Sequence, residues 1–314
     1  MGRYSKHIQD DDANRAYVSK RLQTLRASQA VSLERKIAAT EWLIVQAIDQ
    51  FGLDGVAISY STGKDSAVLS HIARQIHPDI LHIFANTRCE YPESLRLYLK
   101  QRNEFNLIMS MPVDGWNLKR VVEEYGYPLF SKDIARTSRE WRKGDEITRQ
   151  RILSHMEKYK KKYIPFLDKV SLSDECCRLL KHGPLEKLAK AKGVKCSIIG
   201  TLAEESMLRR MSWVEYGCNV FDKTRHPRSR PLSFWTEADI WAYIKNYGVE
   251  ISDLYAKGYK RNGCMFCGFG VHLENAPNRI QRLALTHPGS YDYLVRNFAS
   301  YFDSCGIDIK PIGR

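Results

Sequence analysis

Hydrophobic positions along the chain follow two alternating periods. Leu33, Ile37, Ala38, Trp42, Leu43, Val45 and Ile48 recur at helical spacing and predict an amphipathic helix from Ser32 to Phe51. Gly52 and Gly55 break it. Val56 to Tyr60, VAISY, is a short apolar run of the kind that a buried parallel strand shows. A Ser/Thr/Gly turn follows, then a helix through Ala67, Val68, Ile72 and Ile76 that ends at His77-Pro78. The pattern repeats with a strand over 80–85, a helix opened by Pro92 and a strand over 107–111. A helix over about 116–125 comes next, and a strand over 196–200 follows a helix ending near Lys192-Gly193. Strands alternating with helices predict an α/β fold: a doubly wound, mainly parallel sheet with helices on both faces.

Two segments interrupt the alternation. Residues 131–163 hold eleven Lys/Arg against five Asp/Glu, with Trp141, Tyr159 and Tyr163 among them, and read as a basic helical insertion. From about residue 236 the chain is helical, loop-rich and cysteine-bearing. The expected organisation is an N-terminal helical segment (1–52), a nucleotide-binding α/β domain (53–235) carrying the insertion, and a C-terminal helical cap (236–314).

Charge narrows the partners. The 314 residues carry a formal net charge of +13, which suits a polyanion such as DNA or RNA, or a smaller anionic nucleotide. Lys132, Arg136, Arg139 and Arg142 are the candidate nucleic-acid contacts, and Trp141 could stack on bases. No apolar run is long enough for a membrane helix, and the opening MGRYSKHIQDDD has no apolar core of the signal-peptide kind. A cytoplasmic protein is expected, and its eight cysteines then point to metal binding or catalysis rather than disulfides.

The most specific local signal is Ser59-Tyr60-Ser61-Thr62-Gly63-Lys64-Asp65-Ser66, placed after a strand and opening a helix. That placement turns free backbone N–H groups and the positive helix end toward an anion. Ser61 and Ser66 add hydroxyls, Gly63 permits close approach and Lys64 supplies a cation. It is not a Walker A loop, because no glycine precedes Gly63 at the required distance. The second signal is Cys176-Cys177 with Cys264-x-x-Cys267, a four-thiolate set suited to an iron–sulfur cluster or to zinc.

The S-x-G-K-D-S pattern resembles the loop of the PP-loop ATP pyrophosphatases, which have the adenine nucleotide alpha-hydrolase-like fold. Four further segments, in order over about 55–270, are similar to the adenylyl-sulfate and phosphoadenylyl-sulfate reductase branch. They are Asn86-Thr87-Arg88-Cys89-Glu90-Tyr91-Pro92-Glu93, with Arg88 where the branch has glycine; Gly200 to Ser206 with Arg209 and Arg210; Arg230 to Trp241; and Tyr259 to Cys267. The resemblance implies that the 59–66 loop holds the phosphates of ATP or the equivalent group of adenylyl sulfate, with Lys64 and Asp65 as catalytic candidates. Asp65 would orient loop amides or help hold Mg²⁺. Asn86, Thr87 and Glu90 would line the neighbouring strand end, and Gly200, Glu205, Ser206 and Arg209 the far side of the pocket. It also implies a four-iron four-sulfur cluster on Cys176, Cys177, Cys264 and Cys267, as in adenylyl-sulfate reductases and in the sulfurtransferase of DNA phosphorothioate modification.

Three activities fit that resemblance. An adenylating sulfurtransferase would activate an acceptor, with nucleic acid favoured by the charge, and draw sulfur from a donor such as a cysteine desulfurase. A thioredoxin-dependent sulfonucleotide reductase would need a nucleophilic cysteine in its tail, and Cys305-Gly306 is the candidate. A non-catalytic nucleotide sensor would bind without turnover. A homo-oligomer is left open.

Overall fold

The structure, a computed structural model, describes residues 12–221 and 226–312, so the start of the expected N-terminal segment lies outside the described residues. Two helices, α1 (Asp12–Ala30) and α2 (Leu33–Phe51), precede the sheet. Ser32 caps α2 by accepting the Arg35 amide, and Gly52 ends it with φ of +78°. Then β1 (Val56–Tyr60), α3 (Lys64–Ile76), β2 (His82–Ala85), α4 (Pro92–Gln101), β3 (Leu107–Ser110) and α5 (Leu118–Tyr125) alternate as the periodicity predicts.

A helical stretch follows: β4 (Leu129–Phe130), α6 (Lys132–Lys143), α7 (Glu146–Tyr159), α8 (Phe166–Lys169), α9 (Glu175–Cys177) and α10 (Gly183–Ala191). Between α9 and α10 the helix widens to π geometry over Arg178–His182, a local expansion often found beside functional groups. The chain returns to the sheet with β5 (Cys196–Ile199), α11 (Met207–Tyr216), β6 (Asn219–Val220), β7 (Arg228–Ser229) and α12 (Glu237–Tyr247). It closes with β8 (Gly268–Phe269), α13 (Arg279–Thr286) and α14 (Pro288–Ser304).

The main sheet has the order β3-β2-β1-β5-β7-β6. Its pairings are parallel except β6 with β7. From β1 the chain first builds outward through β2 and β3, then returns to β1's other side with β5. The crevice beyond the carboxyl ends of β1 and β5 is therefore the topological switch point, where open α/β sheets bind ligands. The 59–66 loop leaves β1 at that point.

Apolar burial covers both sheet faces. Val56 and Ile58 pack with Ile44, Val68, Ile198 and Trp235, while Ala57 and Ile83 face Ala189 and Val194. A second core joins Tyr127, Phe130, Ile134, Met156 and Leu172 to Leu254, Leu283, Phe298 and Phe302. The two-stranded β4–β8 sheet lies in it, with Leu129 opposite Gly268. A Cβ at Gly268 would stand 2.6 Å from both Leu129 Cδ1 and the Pro128 carbonyl oxygen, so glycine permits that pairing.

These cores do not follow the expected division at residue 235. Helix α12 joins the sheet core through Ile240 and Tyr243, and buried Lys36 donates to Asp239 at 2.6 Å. The basic stretch is helical as expected, but Ile134, Ala135, Ile152 and Met156 make it a wall of the second core rather than an appendage.

Candidate active site and cysteine cluster

The phosphate loop is folded by its own side chains. Ser66 Oγ accepts the Ser61 amide at 3.1 Å and donates to the Gly63 carbonyl at 2.9 Å. Ser61 Oγ lies 3.0 Å from Ser66 Oγ. Thr62 is fully buried and takes a left-handed φ of +57°, a costly conformation for a β-branched residue. Lys64 opens α3, is buried, and its ammonium bonds Asp65 at 3.1 Å and meets Glu237 at 3.5 Å. Burial raises the Asp65 carboxyl above its ordinary value, with Lys64 pulling the other way. The Lys64 amide donates to the Tyr255 hydroxyl at 2.9 Å. Ser59 lies within β1, in register with Ile83 and Ile199.

The end of β2 forms the adjoining wall. Asn86 Oδ1 accepts the Arg88 amide at 2.8 Å. That tight turn needs φ of +63° at Arg88, so this chain places an exposed arginine in the backbone conformation where glycine is cheapest. Thr87 Oγ1 donates to Glu90 at 2.8 Å and lies 3.3 Å from the Cys264 sulfur. The Met265 amide donates to the Cys89 carbonyl at 2.7 Å, fixing the cysteine turn against the same strand end.

On the far side, Gly200 serves packing: a Cβ there would stand 2.9 Å from the Asp65 carbonyl oxygen. Glu205 accepts the Leu202 amide at 3.0 Å and pairs with Arg209. Its charge is one of the influences raising Asp65. Ser206 caps α11 by accepting the Arg209 amide at 3.2 Å.

The four cysteines come from two distant segments. All are free thiols. Cys176 is raised first by its bond to Cys177, then by burial and by the charges of Cys177, Cys267 and Cys264. Cys177 is lowered, first by the bond from Cys176, with Lys132 and Lys181 beside it. Burial raises Cys264 and Cys267, and Arg279 opposes this at Cys267. Among the described residues no three His, Cys, Asp or Glu side chains stand close enough to share a single ion. The donor set is thiol throughout, half-buried and flanked by cations. It fits an anionic iron–sulfur cluster, whose charge Lys132, Lys181 and Arg279 would balance.

The profile of the phosphoadenosine phosphosulfate reductase domain family matches residues 55–268. The chain belongs to that family. Among curated relatives, the adenosine 5'-phosphosulfate reductase of Geobacillus kaustophilus (strain HTA426) is 24% identical over 217 residues, covering 68% of this chain and 73% of the relative. That of Burkholderia cepacia is 34% identical over 103 residues, which is 32% of this chain and 39% of the relative. The solved phosphoadenylyl-sulfate reductase of Candida auris in its phosphate complex aligns with 15% identity and a TM-score of 0.46, covering 82% of this chain and 97% of that one.

In this phosphoadenosine phosphosulfate reductase domain protein the tail candidate, Cys305, ends α14 as a buried thiol in the second core, and burial pushes it up to about 11. Burial in apolar surroundings favours the protonated thiol over the more nucleophilic thiolate. The expected polyanion contacts on α6 are largely spent. Arg142 donates to the Tyr125 and Leu172 carbonyls, each at 2.8 Å. Arg139 pairs with Asp174 and Glu175, each at 3.2 Å. Arg136 pairs with Asp133 at 2.7 Å, while Lys132 is exposed, with its charge near Cys177. Trp141 is half-buried, and its indole N–H donates to Asp168 at 2.7 Å.

Sequence reasoning passed over three residues at the phosphate loop: Tyr255, Asn262 and Glu237. Asn262 and Glu237 stand inside segments that matched the branch, which was the available signal. Tyr255 carried none. Among the described residues no helix is long and apolar enough to cross a membrane.

Proposed function

We propose that this chain is a PP-loop ATP pyrophosphatase that adenylates an acceptor for sulfur transfer and holds a four-iron four-sulfur cluster on Cys176, Cys177, Cys264 and Cys267. The observation that carries this reading is the 3.3 Å contact between Thr87 and Cys264. That contact supports the reading: with Cys264 as a cluster ligand, sulfur chemistry would adjoin the strand end beside the phosphate loop, and activation and sulfur transfer would share one site.

An acceptor oxygen attacks the α-phosphorus of ATP, the bond to the β-phosphate breaks, and pyrophosphate leaves. The Lys64 ammonium and the Ser61 and Ser66 hydroxyls meet the charge that develops on the leaving group. Asp65 is the loop carboxylate that would help hold the Mg²⁺ that accompanies ATP. Hydrosulfide, freed from a desulfurase's persulfide by a thiol reductant that is oxidised to its disulfide, then displaces AMP from the activated acceptor and leaves it thiolated. When bound, the cluster supplies a Lewis-acidic or sulfur-handling iron centre beside that step.

The favoured acceptor is nucleic acid. With the α6 arginines committed to internal partners, the surface that supports this is the end of α7 and the turn after it. There Lys158, Lys161 and Lys162 are exposed beside Tyr159, which is 61% exposed. Cationic residues next to an open aromatic ring suit a backbone phosphate and a stacked base.

A second reading, a thioredoxin-dependent adenylyl-sulfate reductase, is favoured by the names of the curated relatives. The buried Cys305 opposes it.

The test uses anaerobically purified protein with its iron and sulfide counted. Pyrophosphate release from ATP is measured with and without RNA or DNA, with Lys64→Ala as the blank. Release stimulated by nucleic acid supports the proposal. Sulfite release from adenylyl sulfate with thioredoxin, and no pyrophosphate from ATP, would replace it with the reductase reading.

A further inference from the structure

The shape of the phosphate loop depends on a residue outside it. Thr62 is held at φ of +57° with no exposed surface. For a β-branched residue that conformation is strained by about 1–2 kcal/mol, and it persists only where surroundings enforce it. Thr62 Oγ1 donates to the Ser61 carbonyl at 2.6 Å, a contact within the turn. The second restraint comes from Asn262, whose Nδ2 donates to the Ser61 carbonyl at 3.2 Å and to Thr62 Oγ1 at 2.9 Å. The amide cannot easily turn round, because Ser94 on α4, itself fully buried, donates to Asn262 Oδ1 at 2.7 Å. Asn262 also lies within ordinary packing distance of Gly63: a Cβ on that glycine would stand 3.5 Å from the Asn262 Cβ.

We propose that Asn262 is a positioning residue that holds Thr62 in its left-handed conformation and so keeps the loop shaped to receive the terminal phosphates of the nucleotide. The proposal rests on the loop being the nucleotide's phosphate site. Asn262 touches no phosphate in this role; it acts through the Ser61–Thr62 backbone. It stands two residues before Cys264, so the segment that carries two of the cluster cysteines also sets the loop.

Pyrophosphate is the probe, and binding to the anaerobic, iron-containing protein is measured by calorimetry. Asn262→Ala should weaken binding by about tenfold, the equivalent of one well-made hydrogen bond and part of a second. Its iron content should stay unchanged. Adding Thr62→Gly should restore most of the loss, because glycine takes φ of +57° without the penalty. If Asn262→Ala does not fold, Asn262→Asp keeps the shape, lacks the N–H donors, and takes its place. Equal affinity in wild type and Asn262→Ala overturns the proposal. So does weakened binding that Thr62→Gly fails to rescue, since a purely structural or direct role would give that result. Wild-type protein that binds neither pyrophosphate nor ATP overturns the reading of the loop itself, and the proposal with it.

Discussion

Thr87 and Cys264 meet across 177 residues of sequence, hydroxyl to sulfur at 3.3 Å. Thr87 also holds Glu90 and the Cys89 amide. One small side chain thereby joins the strand end beside the phosphate loop to the turn that carries Cys264 and Cys267.

If the four cysteines hold the proposed cluster, loss of one should cost the whole of it. Cys177→Ser and Cys264→Ser are each expected to purify with most of the iron and sulfide gone, because the remaining three thiolates leave one iron open. Melting temperature should fall, since a bound group held by two distant segments contributes its binding energy to folding. Removing iron from the wild type with a chelator should lower it likewise. Iron analysis and thermal melts check both.

Cys305→Ala should leave turnover intact. The side chain is buried at the end of α14, so the substitution leaves a small void and should cost about 1 kcal/mol of stability. A variant that melts lower but releases pyrophosphate at the wild-type rate meets the expectation. Sulfite release from adenylyl sulfate that the wild type shows and Cys305→Ala loses, with melting little changed, would restore Cys305 as a nucleophile.

Arg88→Gly should stabilise the fold. Arg88 is exposed at φ of +63°, so glycine relieves backbone strain without removing buried packing. The gain should be about 1 kcal/mol, or about 2 °C in melting temperature. Arg88→Ala keeps the strain and should show no such gain, and parallel thermal melts of the two variants separate backbone from side chain.

Glu93 should make stability pH-dependent in acid. Its carboxylate is buried and bonded by Lys257 and by His287 at 3.1 Å. Burial raises its pKa, but the bonds from Lys257 and His287 outweigh this and the net is a value below the ordinary 4.5. The folded state thus binds the proton more weakly than the unfolded state. The contribution is fully present above about pH 4.5 and is lost as pH falls through the lower folded value. Glu93→Gln should cost about 1–3 kcal/mol at pH 7, and the gap to wild type should shrink toward pH 3. Denaturant melts over that range measure it.

Much of the frame was legible because its causes are local. Apolar period and glycine breaks located α2, β1, α3, β2, β3 and β5 to within about two residues of their observed ends. The loop after β1 was legible for the same reason: a strand, a turn of Ser, Thr and Gly and a helix start are written in consecutive residues. The four cysteines were legible as a set through their spacing and resemblance to a known branch, not through anything local that joins residue 177 to residue 264.

What the sequence by itself determined, then, is the α/β alternation, the position of the phosphate loop at the start of α3, and the identity of the thiols. Tertiary structure alone decided which groups are free to act. A charge count cannot tell an arginine facing solvent from Arg142, whose guanidinium is used by two backbone carbonyls. Nor can a tail motif tell a mobile cysteine from Cys305, buried in the second core. The partners of the loop, Tyr255 and Asn262, lie about 200 residues downstream. Hydrogen-bond partners, burial and desolvation are set by which distant surfaces pack together, and no local period encodes that choice.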